Sequence, residues 1–240
     1  MKSLTAAFFL TGFGAIAQMP GGAGGATGMN AVLTKLFGDV QGFTSKVDIQ
    51  VTDKSNQELF SMPMDFAYLD KKLRIQMDLT KMKNSQMSAG LADTLKKMGM
   101  ADVISIVRPD KNVTYTIYPQ QNAALTMPLQ DEAVTVKSRT PQGKETIDGH
   151  PCVKHQVVTV DGKGHTIEAT TWNATDLKDF PVQIQTKEAD NISYLRFKQV
   201  QLAKPESQQF ELSDTYKKYT DPKELQAAVM KKMTEGMGQK

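Results

Sequence analysis

Over most of its length this sequence changes character at every second residue, and that alternation limits the fold more than any motif does. Val47, Ile49 and Val51 alternate with Lys46, Asp48 and Gln50. Leu73, Ile75, Met77 and Leu79 alternate with Arg74, Gln76 and Asp78, and Val113, Tyr115 and Ile117 with Thr114 and Thr116. Val182 and Ile184 alternate with Gln183 and Gln185. Successive strand side chains point to opposite faces, so each run has one apolar and one polar face, as antiparallel strands with a wet side do. About ten such runs can be counted. Turn residues separate them at Asp53–Asn56, Asp70–Lys72, Pro109–Asn112 and Asp161–Gly164.

Three stretches switch to the helical period. Met29, Val32, Leu33, Leu36 and Phe37 share one stripe, with Gly38 where a C-terminal cap belongs. Residues 85–98 carry Met87, Leu91, Leu95 and Met98 on one face, with Gly99 beyond. Residues 222–235 open with Asp221 as N-cap, Pro222 in the first position and Glu224 completing a capping box, and their stripe is Leu225, Val229 and Met233. The expected architecture is therefore α+β, a curled antiparallel sheet or incomplete β-barrel covered by a few amphipathic helices. A few helices cover a half-barrel only in part, which makes its concave side a natural cavity. A fully packed α+β domain fits the same pattern.

Residues 1–17 read as a signal peptide, with Lys2 as the positive end, Ala6–Phe13 as the apolar run and Ala15-Ile16-Ala17 as the cleavage site. That run is too short to span a bilayer, which takes about 20 residues. Residues 18–28 form a Gly-rich linker that cannot bury enough to fold, so disorder is expected there. The remainder, 29–240, reads as a single domain, periplasmic or secreted after cleavage near Ala17–Gln18. The formal net charge of +3 and the mixed charge pattern give no nucleic-acid footprint.

No catalytic constellation emerges. Cys152 is the one cysteine, so no intramolecular disulfide can form, and a buried structural thiol is the expected state. Cys152 and His155 stand three apart on one strand and so should diverge. His150, His155 and His165 lack the convergent partners a zinc site needs. Met62-Pro63-Met64 and Met98-Gly99-Met100 could attract soft copper, but methionine at these positions reads better as adaptable apolar filling. There is no nucleophile elbow and no phosphate loop. Neither a catalytic residue, a metal ligand nor a cofactor is therefore expected.

From Thr146 to Tyr219 the residues follow a recognisable order: Ile147-Asp148-Gly149-His150, a strand through Val160, the turn at Asp161–Gly164, Trp172, Phe180-Pro181-Val182-Gln183-Ile184, Tyr194–Val200 and Phe210-Glu211-Leu212. With Asp65–Tyr68, Lys72–Ile75 and Val113–Pro119 upstream, this resembles the LolA/LolB-like outer-membrane lipoprotein carriers, in particular a DUF4412-type branch. The resemblance implies a half-barrel with a helical lid over an apolar cavity that accepts acyl chains. In the carriers an arginine near the second and third strands latches the lid. Lys71, Lys72 and Arg74 stand in that neighbourhood here, and lysine lacks the planar fork of arginine. The expected function is non-enzymatic: holding a hydrophobic small molecule, a lipid or a lipoprotein acyl chain. The expected contacts are Leu73, Ile75, Met77 and Leu79 from the sheet with Met87, Leu91, Leu95 and Met98 from the 85–98 helix as lid. The alternative is a structural or protein-interaction domain of the cell envelope with a filled core.

Overall fold

A computed structural model describes residues 26–84, 90–129, 133–188 and 191–237. Residues 1–25, which hold the expected signal peptide and most of the linker expected over 18–28, and Met87 lie outside the described residues. Ala26, Thr27 and Gly28, expected in that linker, instead open the first helix. Thirteen strands form one sheet: β1 (Gly42–Asp53), β2 (Glu58–Leu69), β3 (Lys72–Asp78), β4 (Lys83–Asn84), β5 (Asp102–Arg108), β6 (Val113–Tyr118), β7 (Ala123–Pro128), β8 (Thr135–Ile147), β9 (His150–Val160), β10 (Thr166–Ala174), β11 (Phe180–Glu188), β12 (Asn191–Gln201) and β13 (Lys217–Tyr219). Among the described residues three α-helices accompany them, α1 (Ala26–Leu36), α2 (Leu91–Lys97) and α3 (Pro222–Met237).

The strand order is β13-β7-β6-β5-β3-β2-β1-β12-β11-β10-β9-β8, with the short β4 on β2, and all pairs are antiparallel except β13 with β7. β7 and β8 thus lie at opposite ends of the sheet, yet only residues 129–134 join them. Ten strand spacings of a flat sheet would measure about 48 Å, whereas this connection reaches at most about 25 Å. The sheet must therefore curl until its two ends approach. It stays open, with β8 as a free edge.

Ladder partners share a face, so the register sorts the side chains. One row across the concave face runs Thr171, Ile184, Leu195, Ile49 and Met62. Its neighbour runs Phe197, Val47, Met64, Met77 and Val103. α1 closes the middle of this face. Val32, Leu33, Leu36 and Phe37 are buried, and the Phe37 ring sits 4.9–6.2 Å from the rings of Phe43, Phe66, Tyr68, Phe180 and Phe197. Gly38 ends the helix in the left-handed conformation at φ 61°, as its place in the sequence leads one to expect.

The convex face also has a covered patch. After β12 the chain crosses this side, where Phe210, fully buried, packs with Ala67, Leu69, Ile106, Ile117 and Ala124. Arg108 fastens the crossing: its guanidinium donates to both carboxylate oxygens of Asp110 at 2.7 and 2.8 Å, to the Phe210 carbonyl at 2.9 Å, and pairs with Glu211. The chain then adds β13 to the β7 edge and ends in α3, whose Leu225 and Val229 are buried in the main core. Asp221 caps α3 by accepting the Lys223 N–H at 2.8 Å.

A candidate ligand groove at the open end of the sheet

Between the end of α1 and the β8–β10 end of the concave face lies a groove of about 480 Å³. One wall is the turn that carries the chain from α1 into β1, with Leu36, Phe37 and Val40. Val136 of β8 and Val157 of β9 form the other, and Leu202 closes an end. Val136, 39% exposed, is the one large apolar side chain classed as exposed among the described residues. A polar strip runs between them: the Thr171 hydroxyl donates to the side-chain Oδ1 of Asn173 at 2.6 Å, and the Asn173 side-chain amide N–H donates to the Asp179 backbone carbonyl at 2.7 Å. Because these buried groups satisfy one another, the strip needs no ligand atom to complete it. His155 differs. Its register partner is Thr171, and its Nδ1 is buried without a hydrogen-bond partner among the described residues.

Charged groups ring the mouth. Lys35 lies in the last turn of α1, Lys178 in the turn before β11, and Arg139 and Lys204 on β8 and after β12. Arg139 is paired with Asp179 at 2.6 Å, and Lys204 stands 3.6 Å from Asp70. Lys178 and Asp179 both have positive φ, 53° and 63°, a two-residue left-handed turn that lysine adopts less readily than glycine or asparagine.

The expected ligand contacts sit elsewhere on the concave face, and none of them lines this groove. Leu73 and Leu79 are 3% exposed and Met98 is 7% exposed. Ile75, Met77 and Leu95 are half-buried against the core, and Leu91 is half-buried. Of the helix expected over 85–98, residues 85–89 lie outside the described residues; the described helix is α2, seven residues long, with Gly90 at its N-cap at φ 96°. α2 buries none of its own residues and rests on the Leu79–Lys81 turn. Arg74, considered as a latch, shares its face with Ala67 and Ile106, so it points to the convex side, away from α2. There it donates to Gln76 at 3.1 Å.

Other candidate chemistry is dispersed. Cys152 is 2% exposed, its thiol donates to the His150 carbonyl at 3.3 Å, and burial pushes its pKa up, the reverse of an activated thiolate. His150 meets Asp176 and His165 meets Asp161, on separate turns. Among the described residues no three His, Cys, Asp or Glu side chains gather as metal ligands. Met62, Met64, Met98 and Met100 are all buried in the main core. Trp172 packs on the opposite face, its indole N–H donating to Glu145 at 2.8 Å under the Lys154 ammonium. No described helix is long and apolar enough to cross a membrane.

No protein-family model matches the sequence, and no curated protein matches it. Solved structures to which the chain shows similarity include the lipoprotein LppX of Mycobacterium tuberculosis, 13% identical, covering 73% of this chain and 91% of that one, TM-score 0.35. LprF of Mycobacterium bovis is 12% identical over 71% of this chain and 89% of its own, TM-score 0.38. A LolA superfamily protein of Nitrosomonas europaea is 10% identical over 78% and 96%, TM-score 0.37.

Proposed function

We propose that this chain is a non-enzymatic binding protein of the periplasm or the extracellular space, and that the groove beside α1 holds a hydrophobic ligand, a lipid or an acyl chain. The observation that carries this reading is the groove itself. Its volume of about 480 Å³ falls in the range of small-molecule sites, about 300–1,000 Å³. Leu36, Phe37, Val40, Val136, Val157 and Leu202 supply apolar contact, and each buried methylene adds about 0.8 kcal/mol. The row of Leu73, Ile75, Met77 and Leu79 with Leu91, Leu95 and Met98 belongs to the same proposal, as apolar surface that a ligand reaches once α2 lifts.

The test is an uncharged fluorescent alkyl probe. Val136→Trp fills the mouth from an exposed position, so the fold should survive, and probe affinity should fall at least about tenfold, or 1.4 kcal/mol. Unchanged binding with an unchanged circular dichroism spectrum removes the groove from the proposal. One observation favours a second reading, an interaction domain of the envelope: β8 is exposed along twelve of its thirteen residues, and a long free edge suits an added strand. A protein that binds no alkyl probe at all leaves that second reading in place.

A further inference from the structure

We propose that the groove selects a single-chain amphiphile with an anionic head, an inference that rests on the reading of the groove as the ligand site. Four cationic side chains and two carboxylates border it, so two positive charges are in excess. Arg139 is neutralised by Asp179 and Lys204 leans to Asp70. The Asp39 carboxylate at the same mouth is unpaired among the described residues, so one positive charge is left over once these pairs are made. Lys35 and Lys178 themselves have no ion pair among the described residues. They flank the mouth from two different elements, α1 and the turn before β11, with the apolar surface of Val40 and Val136 between the walls.

One field opposes this. The C-terminal end of a helix carries partial negative charge, and α1 ends at the groove. Here the last carbonyls are largely taken: those of Leu33, Lys35 and Phe37 accept the N–H groups of Phe37, Gly38 and Val40. The full charges on Lys35 and Lys178, set against the single unpaired carboxylate of Asp39, leave the mouth net positive.

Volume limits the number of chains. A cavity of about 150 Å³ accommodates a benzene ring. At that scale about 480 Å³ holds roughly eighteen carbon-sized groups. That is about one acyl chain within the groove itself. The polar strip of Thr171 and Asn173 is internally satisfied, so discrimination falls to the rim. The shared chemistry is a carboxylate or phosphate at the end of one chain, a fatty acid or a lysophospholipid-type head.

The experiment titrates the chain lacking its signal segment with palmitate, hexadecyl phosphate, hexadecyl maltoside and hexadecyltrimethylammonium, each below its micelle concentration. The anions should bind roughly tenfold tighter than the maltoside, the cation should bind weakest, and added salt should narrow the spread. The palmitate and phosphate arms identify the head. Lys35→Glu with Lys178→Glu should invert the order of the charged ligands and leave the maltoside unchanged. Maltoside binding with no preference for head charge overturns this inference and leaves the groove reading standing. Binding of a two-chain phosphatidic acid with the affinity of palmitate overturns the single-chain limit. If none of the four ligands binds, the groove reading itself falls.

Discussion

Arg108 is 3% exposed, and its charge is tolerable there because each of its three guanidinium nitrogens has an acceptor. Hydrogen bonding to Arg108 holds the Asp110 carboxyl down at about 2. Lys111 first and Arg108 second hold Glu211 below its usual range. A carboxyl whose folded pKa is depressed contributes stability above its ordinary pKa and loses it as pH falls toward the folded value. The clamp should therefore weaken between about pH 4 and pH 2. Arg108→Met should cost about 2–3 kcal/mol near neutrality, and melting curves of the two proteins should converge as the pH drops through that window. A gap that stays constant would remove the clamp as the cause. Cys152 gives the opposite kind of expectation. Its thiol should react with an alkylating reagent only at the slow rate of a buried group, and Cys152→Ala should cost on the order of 1 kcal/mol while alkyl-probe binding persists. Labelling at the rate of an activated thiolate would count against a structural role.

At the scale of elements, α2 and β8 make separable claims. Leu91 is half-buried on a seven-residue helix that buries nothing of its own, so Leu91→Asp should leave the β-sheet signal intact. If α2 is the working lid, this change abolishes probe uptake. If the ligand stays in the groove beside α1, uptake is unaffected and Val136→Trp alone removes it. β8 is a free edge whose pairing with further copies of the chain is limited, though not closed to a fitted partner strand, by ordinary devices: bulges between Val136 and Ser138 and between Pro141 and Gly143, the missing N–H of Pro141, and Lys137 and Lys144. Replacing Pro141, Lys137 and Lys144 with valine should produce concentration-dependent association in light scattering. The strands themselves were legible because alternation is local. Which side of a strand meets which core was not. Val113, Tyr115 and Ile117 are the apolar set of β6, yet Ile117 packs under Phe210 on the convex side, while Thr114 shares the concave face with Leu73. That assignment depends on a segment 102 residues away reaching Arg108, and no window of sequence contains both.

The molecule as a whole explains why the groove was also illegible. Its walls come from residues 35–42, 136, 139, 157, 171, 173, 178, 179, 202 and 204, none of which carries a motif, and they meet only because the sheet curls. The same topology has a kinetic consequence. β1 lies at the centre of the sheet, flanked by β2 and by β12, and the Ser45 hydroxyl donates to the Lys198 carbonyl across a separation of 153 residues. A chain emerging from its N-terminus can form the β1–β2–β3 meander early, but one flank of β1 stays bare until nearly everything else has been made. Pairings this distant close large loops before they return any contact energy, and sheets dominated by them fold in milliseconds to seconds. Refolding followed by stopped flow should be slow. Val47→Ala should mainly accelerate unfolding if the β1–β12 seam closes after the rate-limiting step. A protein built in this order remains an open, unfinished chain until its last strands are synthesised, a state in which it can still be threaded through a narrow pore.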